Sequence, residues 1–292
     1  MKFFRAYVEI TNICGLACSF CPPKLQPNII MDLKKFRAIV EQLHPFTEEV
    51  ALHVMGDPMV LINLKDYCTI LEEFSMKAMI TTSGFYLDVK RREGLFHPSI
   101  KQVNISLNSF NKNDVSRSFE DYMQSILAFC DEKLQRQSSF FINLRMWNLD
   151  DENSESNFNE IIFQTLEKHF NLEKGFIIRE HTLNRYSIRL ASKILLHFDQ
   201  YFEWPKLTNK YVGDGYCHGL KNQIAILASG DVVPCCLDSE GIMKLGNIDE
   251  TNLGKILSTE RAMQIRKGFD VGNAVEELCQ HCSYKNRFNE KE

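Results

Sequence analysis

The chain has 292 residues, of which 44% are hydrophobic and 25% are charged, and its net charge is −4. The length fits one large domain or two unequal domains, and the composition is that of a globular protein. The net negative charge argues against a nucleic-acid binder that works by phosphate neutralisation. The sequence has neither a run of 18 apolar residues nor a signal peptide, so we expect a cytoplasmic protein without a membrane span. Ten cysteines in that compartment indicate metal or redox chemistry.

From residue 3 to about residue 180, short apolar segments alternate with amphipathic helical patterns. The predicted strands are residues 3–9, 50–55, 77–82, 102–107, 140–146 and 175–179. The first helical pattern places Leu33, Phe36 and Val40 on one face, and Asp32 is suited to cap it. Alternation of strands with helices requires a parallel sheet, because parallel neighbours need crossover connections.

Three cysteines, Cys14, Cys18 and Cys21, follow directly on the first predicted strand. Thiolate sulfur selects zinc, copper(I) or iron–sulfur clusters. A closed zinc site takes four ligands, and the next histidine, His44, lies well outside this segment. A four-iron cubane held by three cysteines keeps one iron open, which is a catalytic arrangement. The alternatives are a zinc loop that lacks its fourth ligand and three cysteines buried as small hydrophobic residues.

The spacing CxxxCxxC, the aromatic Phe20 before the third cysteine and the preceding segment Glu9-Ile10-Thr11-Asn12 resemble the signature of the radical S-adenosylmethionine (SAM) superfamily. The resemblance implies a partial (β/α)6 TIM-like barrel, with the cysteine loop after the first strand. It also implies a [4Fe–4S] cluster whose fourth iron chelates SAM. An electron from that cluster cleaves SAM to methionine and a 5′-deoxyadenosyl radical.

Three further segments carry the resemblance. Met55-Gly56-Asp57-Pro58 stands where the family has Gly-Gly-Glu-Pro, although a plain turn before a helix would also explain it. Ile105-Ser106-Leu107-Asn108 resembles the family's Ile-Ser-Leu-Asp, and Arg117 follows at a matching interval, where a solvated arginine is the alternative. The hydroxyls of Thr82 and Ser83, at the third strand end, are suited to the ribose. The predicted SAM-binding residues are Phe20, through its backbone, Gly56, Asp57, Thr82, Ser83, Ser106 and Arg117.

Ligands of parallel α/β sheets bind at the carboxyl ends of the strands. The ends of the fifth and sixth predicted strands therefore supply the candidates for a substrate pocket. These candidates are Arg145, Asn148, Arg179, Glu180 and His181. A surface ion pair or a position at the core edge is the alternative for each of them, and the sequence names no catalytic base.

The remaining chain is predicted to form a second region. Residues 186–202 show the spacing of an amphipathic helix that connects the two regions. A hairpin pattern over residues 223–235 and a helix from about residue 252 to 268 follow. We therefore expect a barrel over residues 1–183, then a connector helix and a small α+β metal-cluster domain over residues 184–292.

A second set of cysteines lies in this region, at Cys217, Cys235, Cys236, Cys279 and Cys282. Its spacing resembles the auxiliary-cluster domain called SPASM and its short form, Twitch. The resemblance implies one auxiliary [4Fe–4S] cluster bound by Cys217, Cys235, Cys279 and Cys282. Cys236 is then a spare, an alternative ligand or a packing residue. Structural zinc is the alternative occupant, because four cysteines with a CxxC pair also fit zinc.

Together these patterns predict a radical SAM oxidoreductase that abstracts a hydrogen atom from its substrate. A thiolate-ligated second cluster suits removal of an electron, and we expect a two-electron oxidation of a small molecule. A peptide or protein maturase is the alternative within the family, and a non-catalytic zinc or iron–sulfur adaptor is the alternative outside it. An external electron donor such as flavodoxin or ferredoxin is expected, but neither a membrane nor a nucleic acid as partner.

Overall fold

The computed structural model describes residues 1–113, 116–147, 155–183 and 186–289. Within these ranges, ten strands form a single sheet in the order β10-β9-β8-β1-β2-β3-β4-β5-β7-β6. The strands are β1 (Arg5–Val8), β2 (Glu49–Ala51), β3 (Lys77–Thr82), β4 (Ile100–Ser106), β5 (Phe141–Met146), β6 (Ser187–Ala191), β7 (Ile194–Phe198), β8 (Gln223–Ile226), β9 (Asp231–Val233) and β10 (Gly246–Asn247).

The centre of the sheet is parallel from β8 through β1 to β5 and on to β7. The strands β6, β9 and β10 pair antiparallel at the two ends. β1 to β5 and β7 are the six strands of a partial barrel. The sequence predicts six such strands but places the sixth at residues 175–179. The predicted α/β class is therefore confirmed, and five of the six predicted barrel strands coincide with observed ones.

Helices connect the parallel strands. They are α1 (Leu33–Leu43), α2 (Leu64–Glu73), α3 (Val89–Arg92), α4 (Asn108–Asn111), α5 (Phe119–Gln135), α6 (Ser156–His169), α7 (Phe176–Thr182), α8 (Leu253–Leu257), α9 (Glu260–Asp270), α10 (Glu277–Gln280) and α11 (Asn286–Asn289), with short 3₁₀ turns at Pro58–Val60, Glu93–Phe96 and Ser283–Lys285. The side chain of Asp32 caps α1 by accepting from the Lys35 amide at 2.9 Å. None of the described helices is both long and apolar enough to cross a membrane.

The two faces of the barrel strands differ in chemistry. On β1, Ala6 and Val8 are fully buried beneath the helices, whereas Arg5 and Tyr7 point to the other face and stay partly accessible. On β4, the amide oxygen of Asn104 accepts from Gln102 Nε2 at 2.7 Å on that same inner face. The hydrophobic core therefore lies between sheet and helices, and the barrel interior is polar.

The strand predicted over residues 175–179 is wrong, because this segment begins helix α7. Gly175 has a φ of +79° and precedes the helix. The carboxylate of Glu167 accepts from the amides of Gly175 and Ile177, both at 2.9 Å, and so satisfies donors at the helix start. A distant side chain thus decides the conformation of a short apolar run that periodicity alone assigns to a strand.

The connector helix predicted over residues 186–202 is also wrong, because this segment forms the hairpin of β6 and β7. Ile188 and Leu190 are buried on the first strand, and Leu196 and Phe198 on the second. Lys193, at a φ of +56°, makes the turn between them. The turn interrupts the alternation of buried and exposed residues. The apolar residues of the two strands, taken together, therefore recur at a spacing close to that of a helical face.

β7 supplies the sixth parallel strand of the barrel, in place of the segment predicted for it. The C-terminal region is continuous with the same sheet, because β8 pairs parallel with β1, with Tyr7 opposite Ala225. The barrel sheet therefore includes strands on both sides of the predicted division at residue 183. The division itself remains a prediction.

Candidate active site

The cysteine loop is held at the carboxyl end of β1 by the loop that follows β2. The Asp57 amide donates to the Ile13 carbonyl at 3.0 Å. A Cβ atom at Gly56 would lie 1.9 Å from the Thr11 carbonyl oxygen, so only glycine fits at this position. The two segments that the sequence predicts to bind a cofactor are therefore adjacent, and their backbones touch.

Glu9 ties this region to the C-terminal hairpin. Its carboxylate is buried and accepts from the Met55 amide at 2.9 Å and from the Ala228 amide at 3.0 Å. Burial raises the pKa of Glu9, while these hydrogen bonds act against that rise. One side chain thus connects the end of β1 with the loop after β2 and the turn after β8.

The three thiols of the loop have different surroundings. Cys18 and Cys21 are hydrogen-bonded to each other, which lowers the pKa of Cys18 to about 6 and raises that of Cys21. Asn113 also contributes to the low value, because its Nδ2 donates to Cys18 Sγ at 2.9 Å. Burial raises the pKa of Cys14 to about 12, and the nearby charge of Asp57 adds to it.

Two residues that sequence reasoning missed hold the loop in place. Asn113, just after α4, accepts from the Ala17 amide at 2.8 Å through its Oδ1. Tyr86 donates its hydroxyl to the Cys14 carbonyl at 3.0 Å. Gly15 has a φ of +74°, and a Cβ there would lie 2.0 Å from the Tyr86 hydroxyl oxygen. Asparagine and tyrosine so far from the cysteines carry no local signal, so only the fold places them here.

Asp57, Thr82 and Ser83, predicted to bind SAM, form one buried network with each other. Asp57 Oδ2 accepts from the Thr82 hydroxyl at 2.9 Å and from the Ser83 amide and hydroxyl at 2.8 and 2.7 Å. Asp57 Oδ1 accepts from the Met59 amide at 2.9 Å. These side chains join the loops after β2 and β3, so their direct contact with SAM remains a prediction.

The other predicted SAM residues border the same end of the barrel. Arg117 donates to the Phe85 carbonyl at 3.1 Å, and it also bonds the Asp121 carbonyl and the Ser125 hydroxyl. The Ser106 carbonyl accepts from the Tyr122 hydroxyl at 3.2 Å.

Phe20 lies beside an open cavity near the cysteine loop. The centroid of its ring is 5.7 Å from that of Tyr201. The cavity has a volume of about 380 Å³, and Cys21 and Lys112 also line it. The loop therefore borders a space that a ligand can enter.

The structure places the substrate-pocket candidates in two different regions. Arg145 faces the barrel interior, in register with His197 on β7. Arg179, Glu180 and His181 lie on helix α7 rather than at a strand end. The His181 ring packs against Phe198, on the helix-covered face of the sheet, with centroids 4.5 Å apart. These three residues are candidates because they are expected at a strand end, and they do not lie at one. Asn148 lies outside the described residues.

Tyr7 and His53 lie with Arg145 in the barrel interior. The rings of Tyr7 and His53 meet edge to face, with centroids 5.5 Å apart. Burial lowers the pKa of His53 to about 3, and the charge of Arg145 adds to this effect. Within the described ranges, His53 Nδ1 has no hydrogen-bond partner.

The second cysteine set surrounds a small cavity of about 30 Å³. The thiol-bearing residues that line it are Cys217, Cys235, Cys279 and Cys282. Burial raises the pKa of all four thiols, and the neighbouring thiols add to it for Cys217, Cys235 and Cys279. The buried ammonium of Lys285 donates to the carbonyls of Cys279 and Cys282 at 2.8 and 3.1 Å, which fixes the backbone of the CxxC pair.

Cys236 lies apart from this cavity. It packs with Tyr7 and Met55 against Val54 and Leu227. Its thiol is hydrogen-bonded to Tyr7, and burial raises its pKa to about 11. Cys235 and Cys236 therefore face opposite sides, one toward the four-thiol cavity and the other toward the barrel.

Comparison with known families identifies the chain. The sequence profile of the radical SAM superfamily matches residues 8–155. The chain belongs to the radical SAM superfamily. A second profile, that of the SPASM iron-sulfur cluster-binding domain, matches residues 217–283. Both resemblances predicted from the sequence are thereby confirmed.

A curated relative and a solved structure are similar to this radical SAM protein over most of its length. An uncharacterized protein of Methanocaldococcus jannaschii is 24% identical over 261 residues, covering 85% of this chain and 90% of that protein. The crystal structure of BtrN in complex with AdoMet and 2-DOIA has a TM-score of 0.61 at 17% identity, over 97% of this chain and 94% of BtrN.

Two further solved structures are similar to it as well. Streptococcus suis SuiB bound to the precursor peptide SuiA has a TM-score of 0.59 at 15% identity, over 99% of this chain and 74% of SuiB. The structure of anSMEcpe with bound AdoMet has a TM-score of 0.58 at 14% identity, over 96% of this chain and 86% of that chain. These likenesses establish the shared fold.

The radical SAM domain uses a [4Fe–4S] cluster with SAM, and the SPASM domain binds an auxiliary iron–sulfur cluster, as the sequence predicts. The donor atoms fit both groups. The first loop offers three thiols, two of them in contact, beside an open cavity. The second site offers four thiols around one small cavity. Thiolates are the ligands that iron–sulfur clusters take in proteins.

Proposed function

We propose that this radical SAM enzyme oxidises a small molecule by two electrons, for example an alcohol to a ketone. Such an oxidation removes one hydrogen atom, one electron and one proton from the substrate. When bound, the first cluster and SAM supply a 5′-deoxyadenosyl radical for hydrogen abstraction, and the auxiliary cluster supplies an acceptor for the electron.

The opposite orientations of Cys235 and Cys236 carry this proposal. Cys235 and Cys236 follow β9, which pairs with β8, and the pairing of β8 with β1 brings this cysteine pair against the barrel wall. The thiol of Cys235 lines the auxiliary cavity, whereas that of Cys236 contacts Tyr7 of the barrel. The auxiliary site is thus separated from the barrel interior by a single peptide unit, which supports electron removal from a substrate bound there.

The roles that we propose for the cofactor-binding residues follow their contacts. Cys14, Cys18 and Cys21 hold the first cluster, and Asn113 donates a hydrogen bond to the Cys18 sulfur. Cys217, Cys235, Cys279 and Cys282 hold the auxiliary cluster. The backbones of Phe20 and Gly56, together with Ser106 and Arg117, contact SAM. Asp57, Thr82 and Ser83 hold the loops after β2 and β3 together through the four hydrogen bonds that the Asp57 carboxylate accepts.

The barrel interior is suited to a polar substrate. His53 is neutral at physiological pH, because burial lowers its pKa to about 3. Its Nδ1, which has no partner among the described residues, can accept a hydrogen bond from a hydroxyl. The Tyr7 hydroxyl lies beside it and remains protonated, since burial raises its pKa. We place the enzyme in the cytoplasm, with flavodoxin or ferredoxin as its electron donor.

The test is reductive cleavage of SAM by the full chain, reconstituted with iron and sulfide under anaerobic conditions. With dithionite as reductant, we expect 5′-deoxyadenosine and methionine in equal amounts. The Cys18→Ala variant is the control and is expected to form neither. A wild-type preparation that contains both clusters and forms no 5′-deoxyadenosine would contradict the proposal and favour the adaptor alternative.

A further inference from the structure

Arg145 on β5 is a charged side chain in the barrel interior, and no acidic residue within the described ranges forms an ion pair with it. Its guanidinium stacks on the Trp147 ring, 4.1 Å from the ring centroid. It makes no hydrogen bond or ion pair with any side chain or carbonyl in the described part of the chain. The residue is only partly buried, so some of its surface is accessible.

The acidic residue whose charge most affects the pKa of Arg145 is already ion-paired with another arginine. Asp199 lies beyond β7 and is ion-paired with Arg287 at 2.8 Å. Arg287 is itself held by the Gln200 carbonyl at 2.7 Å, which fixes that pair in place. Among the described residues, Tyr7, Tyr284, His53 and His197 also lie around Arg145, and these side chains are neutral at pH 7.

Arg145 is nevertheless charged under working conditions. Burial lowers its pKa to about 10, which leaves the guanidinium protonated at neutral pH. An enclosed charge without a counter-charge destabilises the fold, and proteins normally pair it. Its planar fork matches the two oxygens of a carboxylate or a phosphate, and stacking on Trp147 fixes the orientation of that fork.

We propose that Arg145 binds an anionic group of the substrate, a carboxylate or a phosphate, inside the barrel. This inference rests on the proposed function, and it names the class of substrate that the same site takes. SAM also has a carboxylate, and Arg145 is in register with Ser106 on β4, a predicted SAM residue, as well as with His197 on β7. Saturation with SAM in the test therefore separates an anionic group of the substrate from the SAM carboxylate.

The experiment measures thermal unfolding of the anaerobically reconstituted full chain, saturated with SAM, in the presence of sodium acetate, sodium phosphate or acetamide. Ionic strength is held constant with sodium chloride. The variants are Arg145→Met, which keeps the packing, Arg145→Lys, which keeps the charge but not the fork, and Arg37→Met. Arg37 is an exposed arginine paired with Glu73 and serves as the matched control.

We expect acetate or phosphate to raise the unfolding midpoint of the wild type by about 2 °C or more at a concentration near ten times its dissociation constant. Acetate alone would identify a carboxylate, phosphate alone a phosphate, and both a general anion site. Acetamide should have no effect. Arg37→Met should keep the shift, Arg145→Lys should reduce it and Arg145→Met should lose it.

Three results would overturn the inference. They are equal shifts in the wild type and Arg145→Met, an equal effect of acetamide, and a shift that is seen only when SAM is omitted. The last result would assign Arg145 to the SAM carboxylate. The titration needs no catalysis, so its failure is distinct from a failure of the wild type to form 5′-deoxyadenosine.

Discussion

Replacing the adjacent residues Cys235 and Cys236 separately by alanine tests the assignment of the auxiliary site. The thiol of Cys235 lines the four-thiol cavity, and that of Cys236 is hydrogen-bonded to Tyr7. Two cubanes contain about eight irons per chain, of which the auxiliary cluster accounts for about four. We therefore expect Cys235→Ala to retain about four irons and Cys236→Ala to retain about eight.

The two variants should also differ in stability. Loss of the auxiliary cluster removes the metal binding that stabilises a small domain, so Cys235→Ala should unfold at a clearly lower temperature. Cys236→Ala removes a partly buried thiol from an apolar contact, at a cost of about 1 kcal/mol. Iron and sulfide analysis, with thermal unfolding of the same anaerobic preparations, measures both effects. Loss of four irons from Cys236→Ala, or retention of all eight by Cys235→Ala, would refute the assignment.

Three further substitutions test the region around the cysteine loop. Asp57→Ala leaves four buried donors without an acceptor and should lower the free energy of unfolding by about 3–5 kcal/mol in denaturant titration. The exposed Asp66→Ala is its control, and a similar small effect of both would contradict the network. Gly15→Ala should prevent loading of the first cluster, since its Cβ would lie 2.0 Å from the Tyr86 hydroxyl. Adding Tyr86→Phe should restore part of the iron, and no recovery would show that the clash is not the cause. Asn113→Leu removes a hydrogen bond to Cys18 and should lower the midpoint potential of the first cluster by about 40 mV, measured by redox titration followed by electron paramagnetic resonance. An unchanged potential would remove Asn113 from its proposed role.

The sequence predicts most of the barrel because its strands and helices follow simple periods. β1 to β5 are short apolar runs, and α1 has both an apolar face and a capping aspartate. The prediction fails where the same pattern of apolar residues fits both a helix and a strand. Residues 186–202 combine two strands of period two with a turn at Lys193, and only pairing with β5 decides in favour of strands. Residues 175–179 become helical because Glu167, on the preceding helix, caps them.

The residues of the candidate site are also predicted only in part. Spacing along the chain identifies the two cysteine sets, because ligands of one cluster recur at fixed intervals. Spacing cannot reveal which way Cys236 points, because that depends on the pairing of β8 with β1. Nor can it find Tyr86 and Asn113, which reach the cysteine loop from other connections. Arg145 is found as a candidate from its place near a strand end, but only the structure shows that no acidic residue in the described part of the chain is ion-paired with it.

The most direct test of the account is to observe SAM on the first cluster. Electron–nuclear double resonance of the dithionite-reduced enzyme, with SAM labelled by ¹⁵N in its amino group or ¹⁷O in its carboxylate, measures whether those atoms bind iron. We predict magnetic coupling from both labels in the wild type and its loss in Cys18→Ala. Absence of coupling in wild-type enzyme that carries the cluster, or a fourth protein ligand on that cluster, would contradict the account.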